Sequence, residues 1–266
     1  MQIPPLGFGT FRLTENVAYQ SVASALEAGF RHIDTAQAYN NEQAVGQAIN
    51  DSGIARDQLF ITTKVWNDNL SPARFIPSVK ESLAKLAVTN LDLLLIHWPC
   101  PAEHSTLIEA FQLLKQAKLL GLTKEIGVSN FTIAQLQQCQ PLMEKDEFWL
   151  NQVEVHPYLQ NTKLRDYCQQ SNIHVTAYMP FAVGKVLYDE VIKNIAEQHN
   201  TSAAEVVLAW IFAKGMSTIP SSTKPCNMQA NIASLNLQLT NQQIAAIDTL
   251  DRNDRQANPE FSPLWD

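Results

Sequence analysis

Four side chains able to move or hold a proton stand at or just beyond the ends of three short apolar runs. Asp34 and Tyr39 follow the first, Lys64 ends the second and His97 follows LDLLLI. A carbonyl carbon that receives hydride leaves an alkoxide, so such a reaction needs a positioned acid and donors aimed at the oxygen. Tyrosine can supply the proton but is a weak acid, with an unperturbed pKa of about 10. An ammonium at Lys64 would favour the tyrosinate and lower that pKa, while Asp34 would hold the ammonium in place. His97 would donate to the carbonyl oxygen and orient the substrate. Singly, each group has a structural reading too: Asp34 and Lys64 as an ion pair, Tyr39 as a loop aromatic, His97 bonded to a backbone carbonyl. Their joint arrival at neighbouring strand ends favours chemistry.

The elements that must position them follow a regular alternation of short apolar or β-branched runs with longer stretches of helical periodicity. The predicted strands are Leu6–Phe11, Arg31–Thr35, Leu59–Val65, Leu91–His97, Glu125–Asn130, Leu150–Val155, His174–Tyr178 and Met216–Pro220. Predicted helices cover Val17–Ala28, Asn41–Asp51, Pro72–Leu86, Thr106–Leu119, Ile133–Met143, Lys163–Ser171 and Ala203–Lys214. Leu91–Ile96 has almost no polar alternation, as expected of a strand covered on both faces. Eight strands with helical crossovers favour a closed parallel barrel, in which chemistry sits at the C-terminal strand ends. Gly29 and Gly53 follow helical segments, and Ser71-Pro72 reads as an N-cap with proline at the first helical position. No linker, repeat or low-complexity stretch divides the chain, so residues 1–266 read as one domain. The segment after Arg252, with Pro259 and Pro263, reads as an extension over the barrel.

Composition narrows the function classes. Of 266 residues, 45% are hydrophobic and 17% charged, enough to bury a sizeable core. A net charge of −7 argues against nucleic acid and anionic membrane surfaces as partners. Cys100, Cys139, Cys168 and Cys226 are scattered without a CxxC pair or a zinc-like grouping, and no metal site is expected. With no signal-peptide pattern and no bilayer-length apolar run, a cytoplasmic location is expected. Gly7-Phe8-Gly9 is not a dinucleotide fingerprint, because Arg12 occupies the third glycine position. Asp34 and Glu42 are the nearest pair of acids for a barrel hydrolase, but Glu42 opens a helix and no HExxH accompanies them.

Six segments recur in the order found in a known family: GFRHIDTAQAYNNEQAVG from Gly29, ITTKVW from Ile61, LIHWP from Leu95, EIGVSNF from Glu125, NQVEVHPY from Asn151 and IPSSTK from Ile219. The chain thereby resembles the aldo-keto reductases over nearly its whole length. The resemblance implies an α/β (β/α)8 TIM barrel with a shortened N-terminal hairpin, and NADPH rather than NADH as cofactor. It implies that Asp34, Tyr39, Lys64 and His97 form a catalytic tetrad. It places Ser129, Asn130 and Gln152 at the nicotinamide carboxamide, Tyr178 against the ring, and Gly9, Thr10 and Phe11 beside the cofactor. Phe181 and Gly184 lie in a loop that either covers the pyrophosphate or merely connects strand to helix.

At the 2′-phosphate end, Ser221 and Asn227 stand where the family often has lysine and arginine. Ser222, Thr223 and Asn227 remain as hydrogen-bonding groups and Lys224 as a shifted cation; Asn231 matches the asparagine near adenine, and Ala230 replaces a glutamate. NADPH selectivity is therefore expected to be weakened. Phe11, Trp66 and Trp98, with Tyr39 and His97, resemble the family's substrate-pocket walls, or pack the rim. The short segments after Trp98 and after Arg252 imply a shallow, open pocket. The resemblance implies a monomer acting on small aldehydes, α-dicarbonyls such as methylglyoxal, or keto sugars such as 2,5-diketo-D-gluconate. The alternative, a redox-sensing NADP(H)-binding regulatory module, is disfavoured by the intact tetrad.

Overall fold

The computed structural model describes residues 3–99, 106–144 and 147–266; Cys100 and most of the connection between Trp98 and Ser105 lie outside them. The strands are β1 Phe8–Gly9, β2 His32–Asp34, β3 Phe60–Val65, β4 Leu91–Ile96, β5 Thr123–Ser129, β6 Leu150–Glu154, β7 His174–Tyr178 and β8 Ser217–Thr218. They pair in parallel and in chain order, with Asp34 beside Thr62 and Lys64 beside Leu95. The sheet closes on itself. Leu6 bridges Thr218 in parallel, Gly7 N donates to Thr218 O at 2.8 Å and Gly9 N to Pro220 O at 3.0 Å. The architecture is the predicted (β/α)8 barrel, and among the described residues no strand precedes β1.

The two-residue side-chain period divides every strand between the helical shell and the barrel interior. On β3, Ile61 and Val65 face outward and join the main core with Ile33, Leu94, Ile96, Val128 and Val153. Phe60, Thr62 and Lys64 share the inward face. Phe60 packs with Ile3, Leu93, Leu95 and Leu150 in a second cluster that fills the N-terminal end of the barrel. Further up, the interior becomes polar, so the apolar plug below holds the charged groups above at the C-terminal face.

The shell consists of α1 Glu15–Ala28, α2 Glu42–Asp51, α3 Phe75–Leu86, α4 Leu107–Leu119, α5 Ile133–Cys139, α6 Thr162–Gln170, α7 Glu190–His199, α8 Ala203–Ala213, α9 Pro225–Ala233 and α10 Asn241–Asp248. Helices α4, α5, α8 and α10 open on reciprocal capping boxes, Thr106/Glu109, Thr132/Gln135, Ser202/Glu205 and Thr240/Gln243, which satisfy otherwise orphaned amides. Gly29 ends α1 at φ 112°, a left-handed cap suited to glycine.

Several boundaries differ from the predicted ones. Helix α3 starts at Phe75, not Pro72, because residues 71–74 form a separate turn in which Arg74 N and Phe75 N both donate to Ser71 O. Helix α5 stops at Cys139 and passes into a 3₁₀ turn carrying Pro141, which has no N–H to continue the ladder. Cys139 and Cys168 are buried free thiols, pushed up to about 12 by burial and therefore poor nucleophiles; Cys226 is exposed.

Candidate active site

The four proton-handling groups converge at the C-terminal end of β2, β3 and β4. Lys64 and Asp34 are each 1% exposed, with Lys64 Nζ 2.5 Å from Asp34 Oδ1. Nζ also donates to Thr35 O at 2.9 Å and reaches Tyr39 Oη at 3.5 Å. Gln152 Nε2 donates to the second Asp34 oxygen at 2.8 Å, so the buried carboxylate is engaged through both oxygens. Tyr39 lies on the 3₁₀ turn Gln37–Tyr39, its ring 5.5 Å from that of His97 and 5.1 Å from that of Phe11.

Electrostatics departs from the sequence expectation at one point. The phenol is not brought below its ordinary value: burial, and then the Asp34 carboxylate, hold it well above that value. Burial is the larger cause, and the Lys64 ammonium that would oppose it, 3.5 Å from the hydroxyl, is already paired with Asp34 at 2.5 Å. Burial likewise draws Lys64 below its ordinary value, partly offset by Asp34. His97 is held well below its usual value by burial and then by Lys64, so its imidazole is neutral. Its Nδ1 is buried without a partner among the described residues, and the residue lines the cavity. The site thus presents a protonated phenol and a neutral imidazole to anything bound there.

A cavity of about 1300 Å³ runs across the barrel mouth, lined by Asp34, Tyr39, His97, Ser129, Asn130, Gln152 and Tyr178. Tyr178 Oη donates to Asn130 Oδ1 at 2.6 Å, Asn130 Nδ2 donates to His97 O at 3.0 Å and to Ser129 Oγ at 3.1 Å, and Ser129 Oγ donates to Gln152 O at 2.8 Å. Asn130 adopts φ 64°, a left-handed conformation that asparagine tolerates. Gly9, Phe11, Trp66, Trp98, Phe181, Gly184 and Ser221 also line this cavity.

The remaining predicted positions stand elsewhere. Thr10 is buried and its Oγ donates to Asp34 O at 3.1 Å, a bond that fixes the β1–β2 register. Ser222 accepts from Lys224 N, Lys224 precedes α9 as its N-cap, and Asn227 sits in the first turn of that helix. Thr223 lies in the loop between them, and Asn231 is buried on α9 with its carbonyl accepting from Ser234. None of these is in the cavity lining, whereas Ser221 is.

One group at the site, Gln37, was not expected from the sequence. Gln37 accepts from Trp66 N and Asn69 Nδ2, both at 2.9 Å, and donates to Ser78 and Ser82 on α3, so it ties the Tyr39 turn to the Trp66 loop. Its place two residues before Tyr39 in the first segment was the available signal. Glu42 accepts from Thr63 at 2.7 Å and Ser82 at 3.2 Å, and serves the α2–β3–α3 packing rather than hydrolysis. Among the described residues no cluster of metal-ligating side chains occurs, and no helix is long and apolar enough to cross a membrane. Most of the Trp98–Ser105 connection lies outside the described residues, so the expected pocket depth is read only on the C-terminal side. The chain after Arg252 returns across the mouth: Gln256, Ala257, Asn258 and Pro259 line the cavity, and the Phe261 ring packs 5.8 Å from Trp66 and 5.4 Å from Trp98.

Comparison with known proteins agrees with this geometry. The aldo/keto reductase family pattern matches residues 5–252. The chain belongs to the aldo/keto reductase family. It is 50% identical to methylglyoxal reductase DkgB of Escherichia coli O157:H7 across 100% of both chains. It is 38% identical to glyoxal reductase of Bacillus subtilis (strain 168), over 96% of this chain and 91% of that one. A solved structure described as a 2,5-diketo-D-gluconic acid reductase B superimposes with a TM-score of 0.93 at 38% identity, covering 99% of this chain and 94% of its own. The protein is accordingly an oxidoreductase, and aldo/keto reductases as a family reduce carbonyls with nicotinamide cofactors.

Proposed function

We propose that this aldo/keto reductase reduces small aldehydes, α-dicarbonyls such as methylglyoxal, or keto sugars such as 2,5-diketo-D-gluconate, using NADPH, with Tyr39 as the proton donor. The observation that carries this reading is the Tyr39 hydroxyl at 3.5 Å from the buried Lys64–Asp34 pair, in a cavity that His97 also lines. The substrate range is supported by full-length similarity to a methylglyoxal reductase.

The cavity fits a nicotinamide cofactor. Tyr178 offers a flat face at one side, and Ser129, Asn130 and Gln152 converge there with amide and hydroxyl groups suited to a carboxamide. Gly184, at φ 90° and with nothing within 4 Å of where a Cβ would stand, lets its loop approach a bound molecule closely. Ser221, Ser222, Thr223, Lys224 and Asn227 would hold the phosphate end, Lys224 supplying the positive charge, and Asn231 would lie near the adenine. When bound, the cofactor supplies hydride to the carbonyl carbon.

The chain's own groups then handle the oxygen. His97 Nε2 donates to the carbonyl oxygen as negative charge develops there. Tyr39 transfers its proton to that oxygen as alkoxide character develops there. Lys64 stabilises the phenolate left behind, and Asp34 keeps the ammonium in place. Phe11, Trp66 and Trp98 enclose the substrate and exclude water.

The test is NADPH oxidation with methylglyoxal, diketogluconate and aromatic aldehydes, repeated with NADH. Tyr39→Phe is expected to lower kcat by about 10²–10⁴-fold with NADPH binding retained. Near-wild-type turnover of that variant would remove Tyr39 from the mechanism.

A further inference from the structure

Glu154, at the C-terminal end of β6, is fully buried, as is His156 beside it. A carboxylate stripped of water is costly unless donors replace the water, and three do. His156 Nε2 lies 2.8 Å from Oε1, Gln256 N donates to Oε1 at 2.7 Å and Ala257 N to Oε2 at 2.7 Å. The carboxylate already accepts from both amides, so His156 Nε2 is assigned as its third donor, and the ring's Nδ1 has no partner among the described residues. The imidazole therefore serves the carboxylate and nothing else.

The two amides belong to a stretch with no secondary structure and no ladder of its own, yet that stretch forms one wall of the cavity. Beside the clamp, Asn161 Nδ2 donates to Glu154 O at 2.7 Å while its Oδ1 accepts from Arg255 at 3.3 Å. Further on, the chain is held by ring contacts and by the Asp266 carboxylate, which accepts from Ile133 N at the start of α5. Between these anchors, the Gln256 and Ala257 amides are held by Glu154, while Asn258 Oδ1 accepts from Trp265 Nε1 at 2.8 Å and Gln256 Nε2 donates to Asp254.

We propose that Glu154 is a positioning residue that sets which carbonyl substrates fit, by clamping the C-terminal segment as the cavity wall. It touches no reacting atom and acts through Gln256 and Ala257. A small α-dicarbonyl that engages only Tyr39 and His97 does not need this wall; a bulky aldehyde reaching toward Asn258 and Pro259 does. This rests on the carbonyl-reductase reading of the cavity for its substrates, but not for the clamp itself.

Two measurements on the full chain test it. In the wild type, hydrogen exchange at the amides of Gln256 and Ala257 is expected to be at least about tenfold slower than at Leu264, a residue that is 98% exposed. Random-coil exchange at both amides would overturn the clamp whether or not the variant folds. In Glu154→Gln, an amide N–H₂ replaces one acceptor and faces a donor, which releases the segment. The KM for an aromatic aldehyde should rise about tenfold, while kcat on methylglyoxal and the Kd for NADPH stay within about twofold. Unchanged KM for every aldehyde, or an equal loss of kcat on all, would refute the positioning role. A wild type that reduces no carbonyl yet protects both amides would defeat the functional reading and leave the clamp standing.

Discussion

Replacing Lys64 by methionine keeps the length of the side chain but removes the cation from a site that is 1% exposed. Asp34 then loses its 2.5 Å partner and retains Gln152 Nε2 at 2.8 Å, and Thr35 O loses its donor. Leaving a buried charge without its counter-ion costs about 3–5 kcal/mol. Asp34→Leu strands the ammonium in the same way and orphans the Gln152 amide as well. The double variant contains no stranded charge; it leaves the Gln152 amide and the Thr35 carbonyl unpaired, about 2–6 kcal/mol together, costs that the single variants carry as well. The two single costs should therefore exceed the double cost, with a coupling energy of at least about 3 kcal/mol. Thermal unfolding followed by tryptophan fluorescence reads this, since Trp149 and Trp210 are buried in the core. At about 2–4 °C per kcal/mol for a chain near this size, each single variant should lose about 6–20 °C and the double variant clearly less than the sum of the two. None of the three should turn over substrate. Losses that add within about 0.5 kcal/mol would show that the pair is not the coupled buried unit described.

Two other perturbations follow from the packing. His32, 1% exposed with Nε2 3.0 Å from Thr62 Oγ, is pushed down to about 4, chiefly by burial. Its folded pKa lies below the unfolded value, so stability is complete above about pH 6.5 and falls as the pH drops toward 4, by roughly 3 kcal/mol for this residue. Urea midpoints between pH 7 and 4.5 should show the loss, with a shallower slope in His32→Gln; equal slopes would assign the acid sensitivity elsewhere. A Cβ at Gly46 on α2 would stand 2.4 Å from Lys85 O and 2.6 Å from Leu86 Cα, both backbone atoms of α3 or its end. Gly46→Ala is therefore expected to destabilise by about 3 kcal/mol, read as a lower Tm, whereas an unchanged Tm would mean that α2 and α3 separate at little cost.

Legibility in the sequence followed the physical origin of each feature. Leu91–Ile96 could be read because both its faces are apolar, one against the shell and one in the barrel plug. Leu6–Phe11 and Met216–Pro220 shrink to two residues each, since Gly7, Gly9 and the prolines at 4, 5 and 220 bring few side chains and fewer amides to the ladder. Helix α7 was not expected, although Asp189 caps it and Ile192, Ile195 and Ala196 carry helical spacing to the left-handed Asn200. The convergence of Asp34, Tyr39, Lys64 and His97 was visible because each ends or follows a strand, and strand ends meet at one face in this fold. The direction of the Tyr39 pKa was not, because it depends on whether burial outweighs an ammonium that another residue has already paired. Least visible was the Glu154 clamp, which joins positions 102 and 103 residues apart. Its donors are main-chain amides, and every residue except proline carries one, so no motif at Gln256 or Ala257 can announce the contact. The signal available was on the acceptor side alone: a glutamate two residues before a histidine at a strand end, where an unpartnered carboxylate could not stay buried.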